Sequence, residues 1–442
     1  MLRSRMPLLF TLCYLATVAP LHASNILPNI IIILADDLGV GDLSMNGSPI
    51  RTPNIDSLAR GGVYLSDFYA SANVCTPSRA GLLTGRYPIR TGLADNVIES
   101  GSSHGLPTAE QTIAELLKEK DYRTMLVGKW HLGHSEQFWP TNHGFDEYYG
   151  LPFSNDMEGV GLYRGRELIE QPVIQETLTQ RYTEAATDFI AKNSKRPFFV
   201  FMSHTFPHIP LHASNKFRGK SAAGIYGDAV EELDWSTGEI VAELKRLGIE
   251  NNTLVFFTSD NGAWFEGSNA QFRSMKGMTW EGGFRVPLVA WWPDKIRPGT
   301  RTGAMAMNID LLPTIAGLVD ARPAANSEID GKDIWPLLQG GEQSPHDVLY
   351  LFHNEDIAAL RSQDWKYQAR AYYRTRYIGF ENIREKMGFE YELLFDMRGE
   401  QKQRYSQASN QPAILASMKN RLAEARETFA AFKTQPEMKV FP

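Results

Sequence analysis

The chain has 442 residues, 43% of them hydrophobic and 22% charged, with a formal net charge of −6. That is enough for one large domain and a smaller one of ordinary globular composition. The acidic balance argues against nucleic acid and anionic membrane surfaces as partners, and no segment beyond the N-terminus reaches membrane-spanning length.

Arg3 and Arg5, the apolar run from Leu8 to Val18 and the small residues after it read as a signal peptide over 1–23, with cleavage after Ala23 in "LHASN". The protein is therefore expected to be exported, to a periplasmic or extracellular location. Of the two cysteines, Cys13 lies in the apolar run and would leave with it. Cys75 then has no partner in its own chain. In an oxidising compartment such a thiol is buried, paired between chains, or chemically special.

From there, apolar β-rich runs alternate with helical stretches. "NIIIILADD" reads as a strand ending at Asp36 and Asp37. "CTPSRAGLLTG" opens a helix at Cys75 that Gly85 stops, and a helix N-terminus attracts anions and lowers a thiol's pKa. "LPTAEQTIAELLKEKDY" reads as a helix started by Pro107, with Ile113, Leu116 and Leu117 on its apolar side. "YRTMLVGKWH" is a strand ending in Lys129 and His131, and "RPFFVFMSHTFPH" one ending near His204 and His208. A helix in "LDWSTGEIVAELKRLG" stops at Gly248, "NTLVFFTSDNG" ends in Asp260 and Asn261, and "VPLVAWWP" is a further strand. The pattern predicts an α/β fold, a large mostly parallel sheet sandwiched by helices, over 24–325. "DVLYLFH", "AALRSQDWKYQARAYY" and "YELLFDM" then read as antiparallel strands, followed by an amphipathic helix in "PAILASMKNRLAEARETFAAF". They predict a smaller C-terminal α+β domain over 326–442.

Polar residues follow four separate strands at the C-terminal end, the edge where open α/β sheets bind ligands. Asp36, Asp37, Asp260 and Asn261 offer only oxygen donors, and three acids brought together would repel one another unless a cation joined them. Oxygen donors favour a hard ion, Ca²⁺ or alternatively Mg²⁺. A lone Asp-Asp pair could instead cap a turn; a second acid-amide pair at another strand end favours the metal. Arg79, Lys129, His131, His208 and Lys276 would line the same edge with positive charge, which suits an anionic substrate group.

"CTPSRAGLLTGR" resembles the signature of the type I sulfatases of the alkaline phosphatase superfamily. "NIIIILADDLGVGDLS", "GKWHLG", "HTFPHIP", "FFTSDNG" and "KGMTWEGGFRVP" are similar to that family's further motifs, in its order, from Asn29 to Pro287. "YRGRELIEQP" and "LPFSNDMEG" resemble the branch containing arylsulfatase A and N-acetylgalactosamine-6-sulfatase. The resemblance implies that a separate formylglycine-generating enzyme oxidises Cys75 to formylglycine (3-oxoalanine) on the nascent chain. One hydroxyl of the hydrated aldehyde would attack the sulfur of a sulfate ester, and residue 75 would also ligate the metal. By the same resemblance, Lys129 and Lys276 hold the sulfuryl oxygens, His208 with Lys276 protonates the leaving alcohol, and His131 takes the proton of the second hydroxyl. Arg79 orients the diol and Ser154 contacts the sulfate.

Two alternatives stand beside this one. A phosphatase or phosphodiesterase of the superfamily needs a second metal, where this chain has lysines that would repel it. A non-catalytic glycan-binding relative would have lost a site residue, and every motif position is filled. The substrate is expected to be a sulfated carbohydrate or a small aryl sulfate. "YQARAYYRTRY", Tyr367 to Tyr377, could stack on a sulfated sugar or form one face of an exposed hairpin. Asp95, Asn96 and His104 could line the pocket mouth.

Overall fold

The computed structural model describes residues 27–325, 327–372, 388–434 and 440–441. The signal peptide expected over 1–23 and the end of the aromatic run, Tyr373 to Tyr377, lie outside the described residues.

Ten strands form the main sheet: β1 (Asn29–Ala35), β2 (Val63–Leu65), β3 (Arg123–Gly128), β4 (Glu147–Gly150), β5 (Leu162–Arg164), β6 (Glu167–Glu170), β7 (Phe198–Ser203), β8 (Thr253–Ser259), β9 (Leu288–Trp291) and β10 (Thr300–Thr302). Their spatial order is β10-β2-β9-β8-β1-β7-β3-β4-β5-β6. The centre, β8-β1-β7-β3-β4, is parallel throughout. The flanks are not: β9, the "VPLVAWWP" strand, runs antiparallel to β8 and β2, and β4, β5 and β6 pair antiparallel. In β1, Ile30, Ile32 and Leu34 enter one core while Ile31, Ile33 and Ala35 enter the other. A strand buried on both faces needs no polar alternation, which is why its sequence is an unbroken apolar run.

The helices α1 (Cys75–Thr84), α2 (Leu178–Asn193) and α3 (Gly224–Leu247) belong to this part of the chain. The helix expected from Pro107 is shorter than its sequence pattern suggests and spans Ile113–Lys118. Thr112 fixes its start: Thr112 Oγ1 accepts from the Glu115 N–H at 3.2 Å, and Glu115 Oε2 accepts from the Thr112 N–H at 2.8 Å. This reciprocal cap satisfies amides that would otherwise be orphaned, so the chain upstream need not be helical.

The C-terminal strands β11 (Leu349–His353), β12 (Asp356–Arg361), β13 (Trp365–Tyr372) and β14 (Gly388–Asp396) form an antiparallel meander, extended by Val440–Phe441 alongside β14. Helix α4 (Pro412–Phe429) covers it through Met418, Leu422, Ala425 and Phe429. Tyr367, Arg370 and Tyr372 are buried in β13 rather than displayed. Among the described residues, no helix is long and apolar enough to cross a membrane.

Candidate active site

Strand register brings the polar strand ends together. Ala35 of β1 pairs with Ser259 of β8, Leu34 with Ser203 of β7, and Ser203 with Gly128 of β3. Asp36, His204, Lys129 and Asp260 are the residues that follow, so they emerge at one edge of the parallel centre.

Helix α1 delivers the thiol to that edge. Val74 is extended at its N-cap, Cys75 is its first residue, and Gly85 ends it in the left-handed region at φ 68°, a conformation that favours glycine. Every residue of α1 is buried. Gly81 permits this packing, because a Cβ there would lie 2.2 Å from Ser71 Oγ.

Cys75 Sγ lies 3.5 Å from Asp36 Oδ1 and 4.0 Å from Asp37 Oδ1. Asp36, Asp37, Cys75 and His208 each offer a ligand atom, all within 4.8 Å of one another. Asp260 stands behind them, with Oδ1 accepting from the Asp37 N–H at 3.1 Å. Asn261 Nδ2 donates to Asp37 Oδ1 at 2.8 Å, while Asn261 Oδ1 is buried without a hydrogen-bond partner among the described residues. An orphaned amide oxygen beside three buried carboxylates fits a hard cation, because oxygen-rich sets of this kind bind Ca²⁺ or Mg²⁺.

The cations pair with the same acids. Lys129 Nζ is 2.6 Å from Asp36 Oδ2 and 3.2 Å from Ser154 Oγ. Lys276 Nζ is 2.7 Å from Asp37 Oδ2, and His208 Nε2 is 3.7 Å from the same oxygen. Burial would push the Asp36 carboxyl up, but Lys129 and Arg79 hold it below its usual range. Asp37 is likewise held low against burial by Lys276 and His208. In Asp260, burial and the neighbouring Asp36 outweigh Arg79 and raise the carboxyl. Burial and Lys276 lower His208, against the pull of Asp37.

Arg79 is positioned differently from the expectation that it orients residue 75. Its Nε and Nη2 reach Asp260 Oδ2, both at 2.9 Å, and Nη2 is also 3.5 Å from Asp36 Oδ2. Nη1 donates to Lys129 O at 3.0 Å and Ser203 Oγ at 2.6 Å. The guanidinium thus binds carboxylates and strand ends from behind. The thiol also departs from expectation: burial pushes its pKa up more than Lys129 and Lys276 lower it. The helix N-terminus alone does not make it a thiolate.

His131, at φ 62°, stands apart from the four-residue group. Its Nε2 meets Ile98 O at 3.0 Å, and Nδ1 is buried without a hydrogen-bond partner among the described residues. Burial, Lys129 and Arg79 hold the ring well below its ordinary pKa, so it is a neutral imidazole. Thr76 locks it in place, donating to His131 O at 2.9 Å and accepting from the Ile98 N–H at 3.1 Å. Ile98 belongs to the loop proposed for the pocket mouth, in which Asp95 and His104 are exposed and Asn96 is half-buried. His204 is fully buried and lowered to about 3 by burial. Thr76, Ser203 and Asn73, whose carbonyl accepts from the Gly277 N–H at 2.8 Å and whose Nδ2 donates to Met278 O at 3.1 Å beside Lys276, support the site without having been singled out in the sequence. Thr76 lies inside the signature itself; Ser203 and Asn73 act through contacts that only the fold creates.

A model of the Sulfatase family matches residues 28–321, and one for the C-terminal part of N-sulphoglucosamine sulphohydrolase matches residues 272–428. The chain is 40% identical to N-acetylgalactosamine-6-sulfatase of Mus musculus, over 76% of this chain and 71% of that protein. It is 37% identical to steryl-sulfatase of Homo sapiens, over 81% of this chain and 77% of that one. Among solved structures, Ps i-CgsB in complex with k-i-k-neocarrahexaose is similar at a TM-score of 0.80 and 31% identity, covering 93% of this chain and 94% of that one. The PsFucS1 sulfatase from Pseudoalteromonas sp. is similar at a TM-score of 0.82 and 28% identity, covering 93% and 92%.

Proposed function

The chain belongs to the Sulfatase family and is a sulfuric ester hydrolase; we propose that it acts through an oxidised Cys75 and one hard divalent cation, on a sulfated carbohydrate or aryl sulfate. The observation that carries this reading is the meeting of Cys75 with the buried carboxylates of Asp36 and Asp37 and the cations that face them.

Formylglycine at position 75, made on the nascent chain by a separate generating enzyme, would supply two hydroxyls on one carbon, one to attack sulfur and one to help expel sulfate. Asp36, Asp37, Asp260, Asn261 and residue 75 would hold the cation, calcium rather than magnesium, which when bound supplies Lewis-acid stabilisation of sulfuryl oxygens. Lys129, Lys276 and the N-terminus of α1 hold those oxygens as charge develops on them. Ser154, bonded to Lys129, adds a hydroxyl to the same cradle. Arg79 is a positioning residue that aligns Asp36 and Asp260.

His208 gives its Nε2 proton to the departing alcohol oxygen. Burial and Lys276 disfavour the protonated ring, and a sulfate ester bound beside Lys276 restores the negative charge that favours it. His131 Nδ1, kept neutral and free to accept, takes the proton of the second hydroxyl of residue 75. We place the enzyme outside the cytoplasm, where a lone cysteine calls for the explanation that modification gives.

Sulfate and phosphate release from 4-nitrophenyl sulfate and 4-nitrophenyl phosphate tests the reading. Sulfate release should dominate; phosphate release alone, or neither, would remove it.

A further inference from the structure

Two loops bring Ser154 and His208 to the catalytic edge, and one buried side chain joins them. Ser154, in the loop after β4, bonds Lys129 at 3.2 Å. His208, in the loop after β7, lies 3.7 Å from Asp37 Oδ2 through Nε2. Asn155 follows Ser154 and is buried. Its Nδ2 donates to Gln175 Oε1 at 2.9 Å and to Pro210 O at 3.3 Å. Gln175 Nε2 returns a bond to Asn155 O at 3.1 Å.

These contacts fix both amides. Pro210 O and Asn155 O are carbonyls and can only accept. Asn155 therefore presents its NH₂ to Pro210, Gln175 presents its own NH₂ to Asn155 O, and Gln175 Oε1 takes the second Asn155 hydrogen. Asn155 Oδ1 is left buried without a hydrogen-bond partner among the described residues. An unpaired buried acceptor costs stability, so what this position provides is its NH₂. Gln175 stands three residues before α2, whose Leu178, Tyr182 and Ala186 enter the core, so the clasp is anchored to the body of the fold.

The bond to Pro210 matters because of the carbonyl one residue before it. His208 Nδ1 meets Ile209 O at 2.5 Å. That oxygen can only accept, so Nδ1 carries a hydrogen, and Nε2 is the nitrogen through which a proton reaches the alcohol. The direction of Nε2 thus depends on where the Ile209 and Pro210 peptides lie. On either side the chain is pinned: Phe206 O accepts from the Asp36 N–H at 3.2 Å, and the Ser214 N–H donates to Glu232 Oε2 at 2.8 Å. Between them, the bond from Asn155 is the one hydrogen bond that the backbone of 207–213 makes to another segment among the described residues.

We propose that Asn155 is a positioning residue for departure of the alcohol: its bond to Pro210 O holds the loop so that His208 Nε2 faces the leaving oxygen. This rests on the sulfatase reading and on His208 as proton donor. A displacement of about 1 Å in a reacting group can cost about 10²-fold. A leaving group that departs without a proton does not feel that loss.

A double-mutant cycle on two esters tests the proposal. Wild type, Asn155→Ala, His208→Ala and the double variant are assayed on 4-nitrophenyl sulfate and on phenyl sulfate, whose leaving group is the poorer, with melting temperatures alongside. Asn155→Ala should lose about tenfold or more in kcat on phenyl sulfate with KM little changed, and stay within about threefold on 4-nitrophenyl sulfate. In the His208→Ala background the same substitution should change neither rate, because a residue that acts through another has nothing left to position. Asn155→Ser, whose hydroxyl is one bond shorter than the amide, takes its place in the cycle if the Ala variant does not fold. Equal losses on both esters, no loss on phenyl sulfate, or a loss of the same size with and without His208 would overturn the proposal. If His208→Ala itself loses equally on both esters, the proton-donor role goes and the proposal with it. A wild type that releases sulfate from no ester would instead remove the sulfatase reading beneath both.

Discussion

Two buried charge clusters in this molecule are built on opposite rules. At the seam between the two sheets, Glu281 Oε1 meets Lys366 at 3.0 Å, and Oε2 meets Arg285 and Tyr69 OH, each at 2.9 Å. Asp67 is shared between Arg285 and Arg361. Both carboxylates there have both oxygens taken by cations or hydroxyls. At the catalytic edge three acids, Asp36, Asp37 and Asp260, face three cations, Arg79, Lys129 and Lys276, yet groups are left over: Asp36 Oδ1 meets the Cys75 thiol at 3.5 Å, while Asn261 Oδ1 and His131 Nδ1 have no hydrogen-bond partner among the described residues. Burying such atoms without partners costs stability. The seam closes its charges on themselves to hold the fold, and the catalytic edge keeps capacity for a cation and a substrate.

This contrast breaks first if acids on the two sides behave alike. Asp37→Asn should cost activity by about 10³-fold or more, with bound calcium falling from about one equivalent by elemental analysis and little change in melting temperature. Retained calcium and activity would show that Asp37 is no ligand.

His208→Ala should lose about 10²–10⁴-fold on a sugar sulfate, whose alkoxide needs a proton, and far less on 4-nitrophenyl sulfate, whose leaving group does not. His131→Ala should release one equivalent of alcohol and then stall with sulfate retained on residue 75. Burst kinetics with both esters check the pair; equal losses on both esters and no burst would merge the two roles.

Glu281→Gln probes the other cluster. It leaves Lys366 buried without its counter-charge and Arg285 with Asp67 alone, and should cost about 3–5 kcal/mol of stability by denaturant unfolding. The fraction that folds should keep its kcat.

A smaller effect follows from pH. Burial would raise the Glu281 carboxyl, but Lys366, Arg285 and Arg361 hold it at about 2. A depressed carboxylate stabilises the fold fully above its unfolded pKa of 4.5 and loses that contribution as pH falls toward 2. The gap in melting temperature between wild type and Glu281→Gln should therefore narrow from pH 5 to pH 3. A constant gap would show that the seam does not depend on this charge.

Much of the catalytic edge was legible in the sequence because Asp36, Asp37, Lys129, Asp260 and Asn261 stand at the very ends of apolar strands. β1, β3, β7 and β8 were readable as continuous hydrophobic runs, and a parallel sheet carries their ends to one side. What could not be read depended on pairs distant in the chain. Ser203 anchors Arg79 only because β7 lies beside β3. Asn73 has no motif of its own and acts by bonding Gly277, Met278 and His353, all distant from it in the chain. The thiol's raised pKa was missed for a similar reason, since full burial of α1 follows from packing rather than from helix position. The antiparallel β9 was hidden because an apolar run does not state its direction.

The most direct measurement is peptide mass spectrometry of residue 75 across preparations of differing specific activity. The account predicts that the peptide from Val74 to Arg79 carries an aldehyde in place of the thiol, in a fraction that rises in proportion to activity, and that protein made without the generating enzyme folds normally but is nearly inert. Fully active protein with an intact Cys75 thiol would contradict it.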